Sequence, residues 1–153
     1  MPEVVRAAAE RVIAVPPAQA RNFLLDYRER RPRILTANYQ EYAVEEGGRG
    51  SGTVVRYRFK AGPRERWYRM RVETPAEDSV TERDLESSLS TVWTLRPAAG
   101  GSSTVVRIET SWQGARGIGG LFERTFAPRA LSGIHRQMLD RLDAVLTGDG
   151  AAA

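Results

Sequence analysis

The stretch TVVRYRFK, residues 53–60, alternates mostly apolar side chains with mostly cationic ones. One row of this alternation consists of Thr53, Val55, Tyr57 and Phe59. Successive side chains of a strand point to opposite faces of its sheet, so a period of two predicts a strand with one buried and one solvated face. This is the clearest strand pattern in the chain.

The same period continues over residues 39–112 and predicts about six strands. Three more inward rows follow from it: Tyr68, Met70 and Val72; Thr91, Trp93 and Leu95; and Thr110 with Trp112. Turn-rich breaks at residues 47–52, 62–63 and 97–103 separate the strands. Because parallel neighbours need a long crossover, these short connections predict antiparallel pairing.

The N-terminal part begins with a different pattern. Residues 4–15 are rich in Val, Ile and Ala, which predicts a first strand. Pro17 suits the first turn of a short amphipathic helix, whose apolar positions continue as far as Tyr27. Residues 28–35 contain Pro32 and form either a second short helix or an irregular arm.

The last element is a long helix over about residues 118–146. Its apolar stripe contains Leu131, Ile134, Met138, Leu142 and Val145. The helical phase slips upstream of Pro128, which predicts a kink or break at that proline. Gly148 is expected to end the helix, and residues 150–153 to form a loose tail.

Composition excludes several kinds of site. The chain has 153 residues, no cysteine and one histidine, so disulfides, thiol nucleophiles and multi-histidine metal sites are ruled out. Its 23 Lys and Arg residues outnumber 19 Asp and Glu residues, but they are scattered, whereas a nucleic-acid-binding protein concentrates its cations. No segment approaches the roughly 18 apolar residues of a membrane span. We expect a cytoplasmic protein with no cofactor, no nucleic-acid partner and no stable membrane insertion.

The order of elements, together with several local motifs, resembles a known superfamily. The motifs are VIAVPP at 12–17 leading into FLLDY at 23–27, GSGT at 50–53, the hairpin at 91–106 and FERTFAPRAL at 122–131. In this order they are similar to the START-like superfamily, which includes the polyketide cyclase/dehydrase and lipid-transport proteins. Many members carry an aromatic residue in the second-helix region, whereas residues 28–35 contain none.

The resemblance implies a helix-grip fold of the α+β class. In this fold a curved antiparallel sheet of about seven strands wraps around a long C-terminal helix, with two short helices after the first strand. A single domain would cover residues 1–147, followed by a flexible tail at 148–153. Members of the superfamily leave a hydrophobic cavity between sheet and helix, which implies ligand binding more directly than catalysis.

The candidate ligand-binding residues are the large apolar side chains of the inward rows and of the last helix. They are Tyr57, Phe59, Tyr68, Met70, Trp93, Trp112, Phe122 and Phe126. Any one of them can serve only to pack the core, whereas a pocket would use several of them together. Pro128 and the glycine-rich residues 114–120 would form the gate.

A catalytic residue is harder to assign. His135, near the apolar stripe of the last helix, is a weak candidate for a general base, because a structural role is commoner for a lone histidine. The carboxylates of the middle part alternate with apolar residues and are expected to point outward: Glu41, Glu73, Glu82, Asp84, Glu86 and Glu109. The arginines of residues 28–33 and 64–71 are expected to be solvated, including Arg69 and Arg71.

Three functions remain open at this point. The first is binding of a hydrophobic or amphipathic small molecule of the lipid, polyketide or quinone class. The second is a polyketide cyclase or dehydratase, in which the cavity folds a reactive chain and one polar side chain moves a proton. The third is a protein-interaction module similar to chaperone-cofactor relatives, which an exposed apolar patch would favour. A homodimer formed through sheet edges is also left open.

Overall fold

The computed structural model describes residues 3–114 and 128–148. Within these residues the chain forms seven strands, two α-helices and two short 3-10 helices. In chain order the elements are β1 (Glu3–Ile13), α1 (Pro17–Leu25), a 3-10 helix (Arg31–Ile34), β2 (Tyr39–Glu46), β3 (Val54–Ala61), β4 (Arg64–Ala76), β5 (Ser79–Asp84), β6 (Ser90–Ala98), a 3-10 helix (Ala99–Gly101), β7 (Ser103–Gly114) and α2 (Pro128–Thr147).

The strands form one antiparallel sheet in the order β1-β7-β6-β5-β4-β3-β2. From β2 to β7 each strand pairs with the next one along the chain, as short connections require. β1 pairs instead with β7, with Ile13 opposite Thr104. The sheet curves around α2, and the expectation of a seven-stranded helix-grip fold is confirmed.

The inward rows predicted from the period of two are buried against α2 or half-buried beside the cavities described below. Trp93 and Val72 are fully buried on the sheet side. On the helix side the buried positions are Leu131, Ile134, His135, Met138, Leu139, Leu142 and Leu146. At the surface, Arg11 of β1 donates from Nε to Asp143 and from Nη1 to Asp140, both at 2.7 Å, so ion pairs join the edge strand to α2.

The first helix is shorter than its apolar spacing predicted. It ends at Leu25, because Asp26 leaves the helical conformation with a ψ of 87°. Tyr27 is buried in the turn that follows, where its amide donates to the carbonyl of Gly48 at 3.0 Å. The prediction that the helix continues through Tyr27 was wrong, because this tertiary hydrogen bond replaces the helical one.

Residues 28–35 contain the 3-10 helix Arg31–Ile34, which settles the choice between a short helix and an irregular arm. The predicted turn at residues 47–52 is confirmed: the amide of Gly48 donates to Thr53 Oγ1 at 3.1 Å. Gly48 has a φ of +141°, and a Cβ at this position would come within 2.2 Å of Arg28 Nε. Only glycine fits there.

Within the described residues the C-terminal helix runs from Pro128 to Thr147. Its last turn closes with the amide of Gly148 donating to Ala144 O at 2.9 Å. The expected kink at Pro128, the expected gate at residues 114–120 and the expected tail at 150–153 depend on segments that lie outside the described residues.

Candidate functional site

Two neighbouring cavities lie between the inner face of the sheet and α2. Each has a volume of about 30 Å³, which leaves room for no more than a few water molecules. They share Tyr39, Tyr57, Thr91 and His135. The first is also lined by Tyr27, Arg31, Leu35, Tyr42, Val55, Met70, Glu82, Trp93, Ile108 and Met138. The second is also lined by Phe59, Tyr68, Leu89, Thr110 and Leu131.

Five of the candidate ligand-binding residues border these cavities. Tyr57 lines both, Met70 and Trp93 line the first, and Phe59 and Tyr68 line the second. The alternation of β3, β4 and β6 brings them together, because all five lie on the inward face of the sheet. The structure therefore places these five residues beside the cavities.

Of the remaining three candidates, only Trp112 lies among the described residues. Trp112 is buried in the core but lines neither cavity. Its indole nitrogen has no hydrogen-bond partner among the described residues. Phe122 and Phe126 lie outside the described residues.

Aromatic rings form the wall near the free edge of the sheet. Tyr39 meets Tyr57 and Phe59 edge to face, with ring centroids 5.0 Å apart in both pairs. Tyr57 and Tyr68 lie 5.9 Å apart at an angle of 39°. Sequence analysis missed Tyr39, although its place at the start of β2, opposite Phe59, marks it as part of the same row.

A buried carboxylate stands at the centre of a polar network beside the first cavity. Glu82 Oε2 accepts hydrogen bonds from the Tyr27 hydroxyl at 2.6 Å and from Arg31 Nη2 at 2.7 Å. Glu82 Oε1 accepts a longer bond from Trp93 Nε1 at 3.4 Å. Three donors thus hold the carboxylate in an otherwise apolar interior.

Arg31 is the cation of this network and is only 4% exposed. The central carbon of its guanidinium lies 4.8 Å from the ring centroid of Tyr27 and 4.5 Å from that of Trp93. Nη1 donates to the carbonyl of Leu24 at 3.1 Å. Burial is the largest single effect and lowers the pKa of Arg31, but the carboxylate of Glu82 together with Tyr27 and Tyr42 outweighs it, so the pKa is raised above its usual value.

The expectation that Arg31 and Glu82 face solvent was wrong. Glu82 shares its strand face with Val80, because residues two apart on a strand point the same way. Arg31 shares a face of its 3-10 helix with buried Ile34, because residues three apart eclipse in this kind of helix. Both spacings can be read from the sequence, but the two residues were assigned to the surface because their side chains are charged.

Asp84 was also expected to point outward, and it is buried. Its Oδ1 accepts from the amide of Arg69 at 3.2 Å and its Oδ2 from the Ser87 hydroxyl at 2.5 Å. Asp84 therefore shapes the turn after β5 and lines neither cavity. Arg69 pairs with Glu45 at 2.8 Å on the outer face, as expected for a solvated arginine.

His135 is buried on α2 and borders both cavities. Its Nε2 lies 2.9 Å from Thr110 Oγ1, which lies 2.7 Å from Thr91 Oγ1. Its Nδ1 has no hydrogen-bond partner among the described residues. Burial lowers the pKa of His135 to about 4, so the imidazole is neutral at physiological pH.

Other kinds of site are not found in residues 3–114 and 128–148. No group of three or more His, Asp or Glu residues there is arranged to hold a metal ion. No helix in the same part of the chain is long and apolar enough to cross a membrane.

A curved antiparallel sheet wrapped around a C-terminal helix defines the class of helix-grip proteins. The model of the family described as polyketide cyclase/dehydrase and lipid transport matches residues 4–147. The chain belongs to this family. No curated protein matches the sequence significantly.

Solved structures share the fold of this chain. The solution structure of the KanY protein is 36% identical, with a TM-score of 0.84 over 95% of this chain and 99% of that one. A START superfamily protein from Mycobacterium smegmatis is 12% identical, with a TM-score of 0.67 over 91% and 94% of the two chains. Norcoclaurine synthase from Thalictrum flavum, solved with dopamine and hydroxybenzaldehyde, is 13% identical, with a TM-score of 0.68 over 95% and 87%.

The buried ion pair leads to a prediction about stability. Glu82→Gln leaves the charge of Arg31 buried without its counter-ion, so we expect the free energy of unfolding to fall by about 3–5 kcal/mol in urea titrations. The double variant Arg31→Met with Glu82→Gln removes both charges and should recover most of the loss. Glu65→Gln, at an exposed partner of Arg58, is the control and should change little. Equal losses in the two Glu→Gln variants would contradict this account.

The depressed pKa of His135 leads to a prediction about pH. The unfolded chain, with an ordinary histidine pKa of 6.5, binds a proton that the folded chain does not bind until about pH 4. Stability is therefore lost as pH falls through this window. Between about pH 7 and pH 5 we expect the free energy of unfolding to drop by about 2 kcal/mol more in the wild type than in His135→Gln. Parallel pH profiles of the two proteins would show that His135 is not desolvated.

Proposed function

We propose that this protein binds a hydrophobic or amphipathic small molecule of the lipid, polyketide or quinone class in the cavities between the sheet and α2. The observation that carries the proposal is an apolar, aromatic-lined interior space that only a few polar side chains reach. Small-molecule sites are commonly lined in this way but have volumes of roughly 300–1,000 Å³. Because the two cavities measure about 30 Å³ each, a ligand enters only if side chains between the sheet and α2 move apart.

The lining favours a molecule with flat or aliphatic apolar parts. Each Å² of apolar ligand surface removed from water contributes about 25 cal/mol before the costs of association. Tyr39, Tyr57 and Tyr68 present ring faces and edges that pack against planar groups. Met70 and Met138 add flexible side chains that adapt to an irregular shape.

The comparisons support the same proposal. The family description joins cyclases and dehydrases with lipid transport, and both activities require a hydrophobic molecule to be held. The norcoclaurine synthase structure, which shares the fold, holds two small aromatic molecules. These likenesses support ligand binding and leave the identity of the ligand open.

A second candidate function is polyketide cyclisation or dehydration, and His135 is the observation that favours it. A neutral imidazole beside the cavity, with Nδ1 unpartnered among the described residues, can accept a proton from a carbon between two carbonyl groups. Thr110, held by Thr91, fixes the orientation of the ring through Nε2. The cavity would hold the chain in a folded conformation.

The interaction-module alternative receives less support. The exposed large apolar side chains of the described residues are Val4, Val12, Trp67 and Leu85. They are dispersed over β1, β4 and the turn after β5. No specific observation in this part of the chain favours a docking surface for a different protein.

Binding is tested with N-phenyl-1-naphthylamine, an uncharged probe whose fluorescence rises in apolar surroundings. We expect saturable binding with one probe per protein. Val55→Phe adds a ring to the wall of the first cavity and should raise the Kd at least about tenfold, which is about 1.4 kcal/mol. Val92→Phe makes the same change on the outer face of β6 and should leave the Kd unchanged. Thermal unfolding of both variants checks that they remain folded.

Two outcomes would overturn the binding proposal. One is fluorescence that rises linearly with probe and never saturates. The other is an equal response of the two phenylalanine variants, which would place the probe outside the cavity.

Catalysis is tested with a linear tetraketide thioester. If the second function holds, mass spectrometry should detect loss of water from the thioester at a rate that falls at least about a hundredfold in His135→Gln, the usual contribution of a general base. Binding of the naphthylamine probe by this variant should persist. A wild-type rate equal to the rate in buffer would reject the cyclase function and leave the carrier function.

A further inference from the structure

The two edges of the sheet differ in how they are protected against pairing with another chain. At one edge, β2 pairs with β3 through two register shifts, and its Glu41 has a φ of +53°. Irregularities of this kind keep a sheet edge from pairing further. At the other edge, β1 pairs with β7 without a register shift, over 11 residues that include no proline or lysine. The second side of β1 therefore presents a regular row of backbone N–H and C=O groups.

The side chains on the outer face of β1 follow a symmetrical order. In chain order they are Val4, Arg6, Ala8, Glu10 and Val12, so that two opposite charges and then two valines flank the central alanine. Val4 is 49% exposed and Val12 is 60% exposed. Large apolar side chains exposed on a regular edge strand favour association with another strand.

The two charged side chains of this face are only loosely paired within their own chain. Arg6 Nε lies 4.0 Å from Glu109 Oε1, and Glu10 Oε2 lies 3.5 Å from Arg107 Nη1. The side chain of Arg6 is 61% exposed and that of Glu10 is 51% exposed. Both charges are therefore available to a partner at the free edge.

A second copy of β1 matches this order when it lies antiparallel beside the first, with Ala8 opposite Ala8 of the partner subunit. Arg6 then lies opposite Glu10 of the partner subunit, and Val4 lies opposite Val12 of the partner subunit. The twofold axis repeats each contact. Opposite charges and apolar pairs that face each other across antiparallel strands are stabilising. A shift of two residues in either direction places Arg6 opposite Ala8 or Val12 of the partner subunit and loses both matches.

The inner face of β1 is compatible with the same register. Ala7 lies opposite Ala9 of the partner subunit, and two small side chains allow the strands to approach each other. Arg11 is on this face, and its charge is already paired with Asp140 and Asp143 at 2.7 Å each. A surface groove of about 380 Å³ between β1 and α2 leaves open space beside this part of the strand.

We propose that two copies of this chain associate through the free edges of their β1 strands, antiparallel and with Ala8 at the twofold axis, into one continuous sheet. Backbone hydrogen bonds form the ladder, and the charged and apolar pairs set its register. β1 contributes no residue to the lining of the two interior cavities, so this inference does not depend on the proposed binding function. A single strand pair is small compared with the roughly 1,600 Å² of a standard interface, so we expect a reversible dimer with a Kd on the order of 10 µM.

Sedimentation velocity at protein concentrations on either side of this value measures the association. We expect the wild type to change from a monomer to a dimer as its concentration rises. Arg6→Glu places like charges opposite each other at both symmetrical contacts and should raise the Kd at least about tenfold. Arg83→Glu is the matched control, because Arg83 is an exposed arginine of β5, in the middle of the sheet, and is also paired with a glutamate, at 3.7 Å. Its Kd should equal that of the wild type.

A charge exchange distinguishes pairing between subunits from pairing within one chain. The double variant Arg6→Glu with Glu10→Arg restores opposite charges across the proposed interface, so its Kd should return to within about threefold of the wild-type value. Within the chain, the same exchange brings like charges together at both Glu109 and Arg107. Contacts inside one subunit therefore cannot account for a recovery.

Cross-linking tests the register, and the chain suits it because the sequence contains no cysteine. Ala8→Cys brings two thiols together at the twofold axis, within reach of a disulfide, whereas a thiol introduced by Val12→Cys faces Val4 of the partner subunit. Mild oxidation should convert the first variant, and not the second, to a covalent dimer. A wild type that stays monomeric at every concentration, no recovery on charge exchange, or equal cross-linking of the two cysteine variants would overturn the inference.

Discussion

The inner face of the sheet and the apolar stripe of α2 must leave water together, and this joint burial organises the molecule. Neither surface is stable alone, because each exposes a continuous row of large apolar side chains. Trp93 on the sheet and Leu142 on the helix are fully buried as a result. This packing leaves two small cavities beside Tyr39 and Tyr57.

The polar side chains described in this interior form two groups. Arg31 and Glu82 join the 3-10 helix after α1 to β5, which lies in the middle of the sheet. Such a pair adds little net stability over an apolar replacement of the same volume, but breaking it is costly. His135, Thr110 and Thr91 form the second polar group, connecting α2 to β7 and β6. An amphipathic ligand lying between these two groups would meet hydrogen-bonding partners at fixed positions.

The strands were predictable because their side chains alternate cleanly. The inward rows around Tyr57, Tyr68 and Trp93 follow from the period of two alone. Five of the eight candidate ligand-binding residues border the cavities. Trp112 shows the limit of this argument. The alternation along a strand predicts which face of the sheet a side chain lies on, but it does not predict whether that side chain borders a cavity or is closely packed. Arg31 and Glu82 were assigned to solvent by their charge, although their spacing from Ile34 and Val80 indicated the interior. Only the three-dimensional contacts reveal that each neutralises the other.

The central claim is that an apolar molecule enters the space between the sheet and α2. The most direct test is a nuclear Overhauser experiment on protein with ¹³C-labelled methionine methyl groups and bound N-phenyl-1-naphthylamine. Met70 and Met138 both line the first cavity, one from the sheet and one from the helix. The account predicts cross-peaks from the naphthyl protons to both of these methyl groups. Saturable binding without a contact to either methyl group would place the ligand elsewhere and contradict the account.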